Sequence, residues 1–382
     1  MTARHRSIVS EIAPCTLATE REDKMKFADL KNEVPLKIAL VVAIFLSFAG
    51  CGDSSSMAGG GGGGTHPRSA AQDVYVIQAP AAYPTDSGSI LRFSASASGS
   101  VAPVSTITFP TGNYYQGLAT DSDGNIYVGS NQPHNVMSLL EYAVGSTGSA
   151  TPTRTIPSDN TTKMWDPDGL AIGPEGQIVV GEDNGGVATY SATANGDVAP
   201  ESYLLGAYEI GGGLSTINAA QSIALGSGNL YVFNWQDGTD DPPIAIFAAT
   251  ATGNIAPSGT IGGSLTGITF DGVGGIATDT AGNIYVSNTS ATGGSILVFA
   301  PTATGNVAPT RTISGSSTQL GYLGGIQVDG VGNIYVISVS EHGENPTVLK
   351  FSASASGNTA PTSSFTSSAW TRADNYFSLA IY

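Results

Sequence analysis

Cysteine is nearly missing from this sequence: only Cys15 and Cys51 carry a thiol, so no disulfide framework can hold the fold together. Histidine is almost as scarce. Of four in the chain, only His134 and His342 fall after residue 73, far apart, which leaves no zinc triad and no paired-histidine catalysis. No Ser-His-Asp signature appears either. Charged side chains make up 12% of the residues. Beyond residue 50 the chain keeps seven Lys and Arg against 24 Asp and Glu, a net charge of −17. A body of that sign repels phosphate backbones, so nucleic acid is excluded as a partner. Long apolar runs are lacking too. The longest, residues 38–48, is eleven residues, too short to cross a bilayer as a helix but the right length for a signal-peptide core.

Glycine, by contrast, is abundant, with 50 residues, and its placement is periodic. The stretch ILVFAPTATGNVAPTRTI at 296–313 recurs five more times. Each copy carries an aromatic, a glycine six residues on and a proline ten residues on. The aromatics are Phe93, Tyr142, Tyr190, Phe247, Phe299 and Phe351. The glycines are Gly99, Gly148, Gly196, Gly253, Gly305 and Gly357, and the prolines Pro103, Pro152, Pro200, Pro257, Pro309 and Pro361. A period near fifty points to a propeller or solenoid rather than several unlike domains.

Each period reads as four strands. A small-residue stretch (Gly117-Leu118-Ala119, Gly169-Leu170-Ala171, Ser222-Ile223-Ala224) suits an inner strand crowded at an axis. A glycine turn leads to a second strand rich in β-branched and aromatic residues (Ile126-Tyr127-Val128, Ile284-Tyr285-Val286). The repeat itself supplies the third and fourth strands, and its proline is expected on the fourth, as the outer edge. Counting predicts closure. Val74-Tyr75-Val76 is a second strand with no first, and Ser378-Leu379-Ala380-Ile381 at the other end matches residues 117–120 position for position. The expected fold is therefore all-β: a six-bladed β-propeller of four-stranded antiparallel blades over residues 73–382, with the C-terminal strand completing the N-terminal blade.

Residues 1–50 read as a signal region, with Met25 as the expected true start ahead of Lys26, Lys31 and Lys37. Phe48-Ala49-Gly50-Cys51 resembles the bacterial lipobox, with Phe48 where leucine is usual. That resemblance implies lipidation at Cys51 and export to the cell envelope, with an outer-membrane lipid anchor. Residues 51–72 then form a Gly/Ser-rich tether, whose 21 residues after Cys51 would span about 25 Å as a flexible coil. GLATDSDGNIYV at 117–128, GGIATDTAGNIYV at 274–286 and GGIQVDGVGNIYV at 324–336 resemble NHL repeats, which implies the same six-bladed fold. Propellers of this kind serve as binding modules, sensors and enzymes alike.

Candidate chemistry lies on the face where the second-to-third and fourth-to-first loops gather. The second strands end at Gln78, Ser130, Glu182, Asn234, Asn288 and Ser338, beside Gln116, Asp168 and Gln221. Asp168, Glu182, Asn234 and Asn288 could form an oxygen cage for calcium, a set similar in residue type to the site of gluconolactonase-like propellers. Alternatively, each ties down backbone groups where its strand ends. Asp121-Ser122-Asp123-Gly124 reads as a hairpin turn rather than a calcium loop. Trp165, Trp235 and Trp370, with His134 and His342, mark a possible ligand-binding face, and core packing is the other reading of the tryptophans. The expectation is a monomeric, non-catalytic binding or scaffold module for a protein or carbohydrate ligand. The alternative is a calcium-dependent hydrolase or lyase with an axial metal site.

Overall fold

The computed structural model describes residues 70–78, 87–132, 136–182, 185–206, 214–234, 243–269, 274–340, 346–370 and 378–382, all within the compact unit Met57–Tyr382. The signal region, Cys51 and nearly all of the tether lie outside the described residues, as do His134, Trp235 and His342. Among the described residues every regular element is a strand, and the strands assemble into six sheets. Blade I takes its second, third and outer strands from Asp73–Gln78, Ser89–Ser94 and Ser105–Thr108. Blade II comprises Tyr114–Thr120, Ile126–Gln132, Val136–Tyr142 and Arg154–Pro157. Blade III comprises Pro167–Ile172, Ile178–Glu182, Val187–Tyr190 and Ser202–Leu204. Blade IV follows with Ala220–Gly226, Asn229–Asn234, Ile244–Ala248 and Gly259–Ile261. Blade V is Ile276–Thr278, Ile284–Ser290, Gly293–Phe299 and Arg311–Ser314, and blade VI is Tyr322–Val328, Ile334–Val339, Thr347–Phe351 and Ser363–Thr366.

The inner strand of blade I is Leu379–Ile381. It pairs antiparallel with the second strand through Val74↔Ile381, Tyr75↔Ala380 and Val76↔Leu379. The N–H groups of Gln72 and Asp73 both donate to Tyr382 O, at 2.6 and 2.9 Å, and Tyr382 N–H donates back to Asp73 O at 3.0 Å. The chain ends are thus zipped into one sheet, as the residue count predicts.

Apolar clusters fill the seams between blades rather than the blades themselves. Six are present among the described residues, each joining residues of two neighbouring blades. The six repeat aromatics, from Phe93 to Phe351, are all 2% exposed or less. Second strands are buried on both faces, which explains their unbroken Ile/Val/Tyr composition. Glycine appears where blade backbones touch. A Cβ on Gly181 would lie 2.5 Å from Ala220 O, and one on Gly129 would lie 2.2 Å from Pro167 O, in each case on the next blade.

The repeat glycines do something different. All six have positive φ, from 61° at Gly357 to 76° at Gly253, and a Cβ there would meet nothing within 4 Å. Each turn reaches back and pairs in parallel with the outer strand of the preceding blade, through Ile107↔Gly148, Leu204↔Gly253, Ile261↔Gly305 and Ile313↔Gly357. Gly196 N–H donates to Thr155 O at 2.7 Å in the same manner. In blade I the clasp is long enough to count as a strand: Gly99–Ser100 lies against Phe365 and Thr366 of blade VI and closes the ring a second time. Asn306 and Asn358, which follow their glycines, accept N–H bonds from Leu265 and Ser317 of the preceding connection, at 2.7 and 2.6 Å. The outer edges are therefore covered by the neighbouring blade. This corrects the expected place of proline. The fourth strand is outermost, but each repeat proline sits two residues before it, in the connection, as Pro309 does ahead of Arg311–Ser314.

Candidate functional site

In blades III to VI the polar residue ending the second strand acts as a latch for the loop that enters its own blade. Glu182 is completely buried, and its Oε2 accepts the N–H groups of Trp165 and Asp166 at 2.7 and 2.8 Å. Asn234 Nδ2 donates to Thr216 O at 3.0 Å. Asn288 Oδ1 accepts from Thr269 N–H and Oγ1–H, at 2.7 and 3.2 Å, while its Nδ2 donates to Ser295 Oγ at 3.1 Å. Ser338 Oγ accepts from Gly321 N–H at 2.8 Å and donates to Gln319 O at 3.1 Å. The pattern has a local cause. The loops entering blades III to VI turn through a left-handed residue, Lys163, Thr216, Gly267 and Gln319, with φ from 56° to 72°, and such a turn leaves backbone groups that no ladder satisfies. Blade III alone uses a carboxylate in these latches.

On the opposite face the glycine-asparagine signature has its own network. Asp121 Oδ1 accepts from the N–H groups of Asp123 and Asn125, both at 2.9 Å, and Oδ2 from Asn125 Nδ2 and the Tyr127 hydroxyl, at 2.8 and 3.0 Å. Asp279 with Asn283 and Tyr285, and Asp329 with Asn333 and Tyr335, repeat it. Asp329 Oδ2 also accepts the Ala71 N–H at 3.2 Å. With its oxygens met by donors, the aspartate serves the turn, as expected. Burial, then the nearby carboxylate, pushes the hydroxyls of Tyr127, Tyr285 and Tyr335 well above the usual phenol range.

Around the axis the inner strands enclose a cavity of about 50 Å³, whose polar lining includes Asp168, Gln221, Ser222, Gln327 and Ser378. This volume holds a few waters and is far below the several hundred Å³ of an ordinary small-molecule pocket. The Gln116 side-chain amide meets the Asp168 carboxylate across the seam between blades II and III. Of the four expected calcium ligands, Asp168 lines the cavity, whereas Glu182, Asn234 and Asn288 do not. Those three hold backbone and side-chain groups at their strand ends instead. Among the described residues no group of three or more His, Cys, Asp and Glu is placed to hold a metal ion.

No protein-family model and no curated protein matches the sequence. Solved structures do. A protein of unknown function from Bacteroides caccae superposes with a TM-score of 0.52 at 10% identity, over 82% of this chain and 99% of that one. The WD40 β-propeller domain of Doa1 aligns with a TM-score of 0.44 at 13% identity, over 77% and 82% of the two chains. A quinoprotein alcohol dehydrogenase-like protein from Bacteroides thetaiotaomicron gives 0.36 at 12%, over 83% and 68%. The likeness is one of fold.

The tryptophans divide. Trp370 packs into the seam between blades VI and I, its ring 5.5 Å from Phe93 and 6.0 Å from Phe365. Trp165 is 40% exposed on the loop held by Glu182. Sequence reasoning noted Gln116 only as a neighbour of the polar ring. Its pairing with Asp168 spans two blades and leaves no trace in sequence spacing.

Proposed function

We propose that the chain is a non-catalytic binding and scaffold propeller of the cell envelope, NHL-like in its blade signature. Cys51 would carry a lipid anchor, and the tether to residue 72 would hold the body clear of the membrane surface. Its partner would be a protein or a carbohydrate met on the loop face. The observation that carries this reading is the engagement of Glu182, Asn234 and Asn288 with their own loops, beside an axial cavity of only about 50 Å³. Three of the four side chains that would build a calcium-dependent hydrolase or lyase hold their own loops, and the space for a substrate at the axis is small.

Thermal melting of the purified protein with calcium and with chelator tests this. A scaffold gives the same melting temperature in both. Glu182→Ala should then cost about 2–4 kcal/mol equally in both, since it strands the Trp165 and Asp166 N–H groups. A calcium-dependent rise that vanishes in Glu182→Ala would favour the hydrolase. Cys51→Ala should move the protein from the membrane fraction to the soluble one. Unchanged fractionation would remove the anchor from the proposal.

A further inference from the structure

The inner strands carry one substitution that their own repeat makes conspicuous. Ala119, Ala171, Ala224, Ala277 and Ala380 occupy the same register position against the second strand in five blades, and all five are completely buried. Blade VI has Gln327 there, opposite Tyr335. Burying an amide where a methyl group suffices costs free energy unless something meets it. Gln327 is 7% exposed and lines the axial cavity, and its side chain makes no hydrogen bond among the described residues.

Two further side chains are aimed at the same cavity by the backbone. In blade III the ladder pairs Gly181 with Gly169 and Glu182 with Pro167, which leaves Asp168 bulged out between them. In blade IV it pairs Phe233 with Ser222 and Asn234 with Ala220, which leaves out Gln221. A bulge re-aims the side chain it carries, and both residues line the cavity. Ser378, from the end of the chain that completes blade I, lines it too. Like Gln327, Gln221 and Ser378 make no side-chain hydrogen bond among the described residues. Blades I, III, IV and VI thus bring a hydroxyl, a carboxylate and two amides to a space of about 50 Å³, room for a single ion or a few waters.

The donor set selects what fits. Its oxygens are hard ligands, the kind that take alkali and alkaline-earth cations. Asp168, within a body of net charge −17, turns anions away. It is the one charged side chain of the lining, and Gln116, which meets it across the seam, is neutral. A single carboxylate balances a single positive charge. Calcium, by contrast, gathers about six to eight oxygens and gains affinity with the number of charged ligands.

We propose that the axial cavity binds a monovalent metal cation, sodium or potassium, held by Asp168 with the amide oxygens of Gln221 and Gln327 and the Ser378 hydroxyl, and that this ion ties four blades together at the centre of the ring. The test is thermal melting of the purified protein in sodium, potassium and choline chloride at equal ionic strength, choline being too large for the cavity. The ion that binds should raise the melting temperature by about 2 °C or more over choline. Asp168→Asn, which keeps the shape and removes the charge, should abolish that difference. Sodium-23 resonance lines should broaden with the wild-type protein and not with Asp168→Asn, and competition by potassium ranks the two ions. Gln327→Met keeps the side-chain volume and loses the oxygen, so it gives a second reading from another blade: the ion should bind about tenfold more weakly. Equal melting in all three salts, or a difference that survives both variants, overturns the site and leaves water in the cavity. A calcium-dependent rise that is lost in Asp168→Asn overturns the monovalent class. Because Glu182 does not line this cavity, such a rise would persist in Glu182→Ala, which separates it from the hydrolase reading.

Discussion

The six repeat glycines allow a sharp test of how this ring is held together. Gly305 has φ of 75°, and its N–H donates to Thr260 O at 2.5 Å on the neighbouring blade. A Cβ there would meet nothing within 4 Å. Gly305→Ala therefore has no clash to relieve, and its cost is that of placing an L-residue in the left-handed region, about 1–2 kcal/mol. Loss of unfolded-state freedom returns about 0.4–1 kcal/mol of that, leaving a net destabilisation near 1 kcal/mol. Gly305→Asn should cost less than Gly305→Ala, because asparagine tolerates this backbone. Gly196→Ala sits two blades away with φ of 75°, so the double mutant should lose roughly the sum. Gly181→Ala is the contrast: its Cβ would lie 2.5 Å from Ala220 O, and blades III and IV must part to admit it, at about 1–3 kcal/mol or more. Guanidinium denaturation of the set decides. If Gly305→Ala is neutral, or Gly305→Asn costs as much as Gly305→Ala, the clasp does not depend on backbone handedness and the reasoning fails.

Two further outcomes follow from the same architecture. Removing residues 378–382 takes away the inner strand of blade I, with Leu379 and Ile381 only 3% and 4% exposed; burial of those two side chains alone is worth about 3–6 kcal/mol, so the truncated chain should lose its cooperative melt, and a melt matching the intact protein would refute closure by this strand. Alkali should unfold the protein: burial is the first cause raising the pKa of Tyr75, to about 12, and it likewise raises Tyr115, Tyr127, Tyr142, Tyr190, Tyr231, Tyr285 and Tyr335. The native state then holds more phenolic protons than the unfolded chain above pH 10, and stability falls as pH rises, by up to about 1.4 kcal/mol per pH unit for each such tyrosine. Phenolate absorbance should appear together with loss of the sheet signal, and stepwise titration with the sheet intact would contradict this.

The propeller was legible because its determinants are local and repeated. Phe299, Gly305 and Pro309 keep their spacing in every copy, and residues 378–381 fill the slot that Val74 lacks. The proline was misplaced for a physical reason. Absence of an N–H makes proline compatible with an edge strand, but equally with the connection before it, and the edges here had already been protected by the glycine clasps of adjacent blades. A parallel bridge between residues some forty positions apart, such as Ile261 and Gly305, has no signature in either stretch alone. What the repeat glycine displays in sequence is only its need for a left-handed turn.

The site resisted for a related reason. That each second strand ends in a polar residue follows from the repeat, but calcium ligation and loop latching demand the same residue types at the same positions. The difference lies in which way the side chain turns. At Glu182 the pairing with the inner strand shifts register just after Gly181, and the inner strands of blades II, IV and VI shift near Gly117, Gln221 and Gly324. A bulge of this kind leaves an inner-strand residue outside the regular alternation, so an alternation read along the strand cannot assign the cavity lining. Asp168 and Gln221 fall at these irregular positions and line the cavity, while Glu182 reaches back to the Trp165 loop. The irregular positions, not the repeated ones, therefore set what the axial cavity presents.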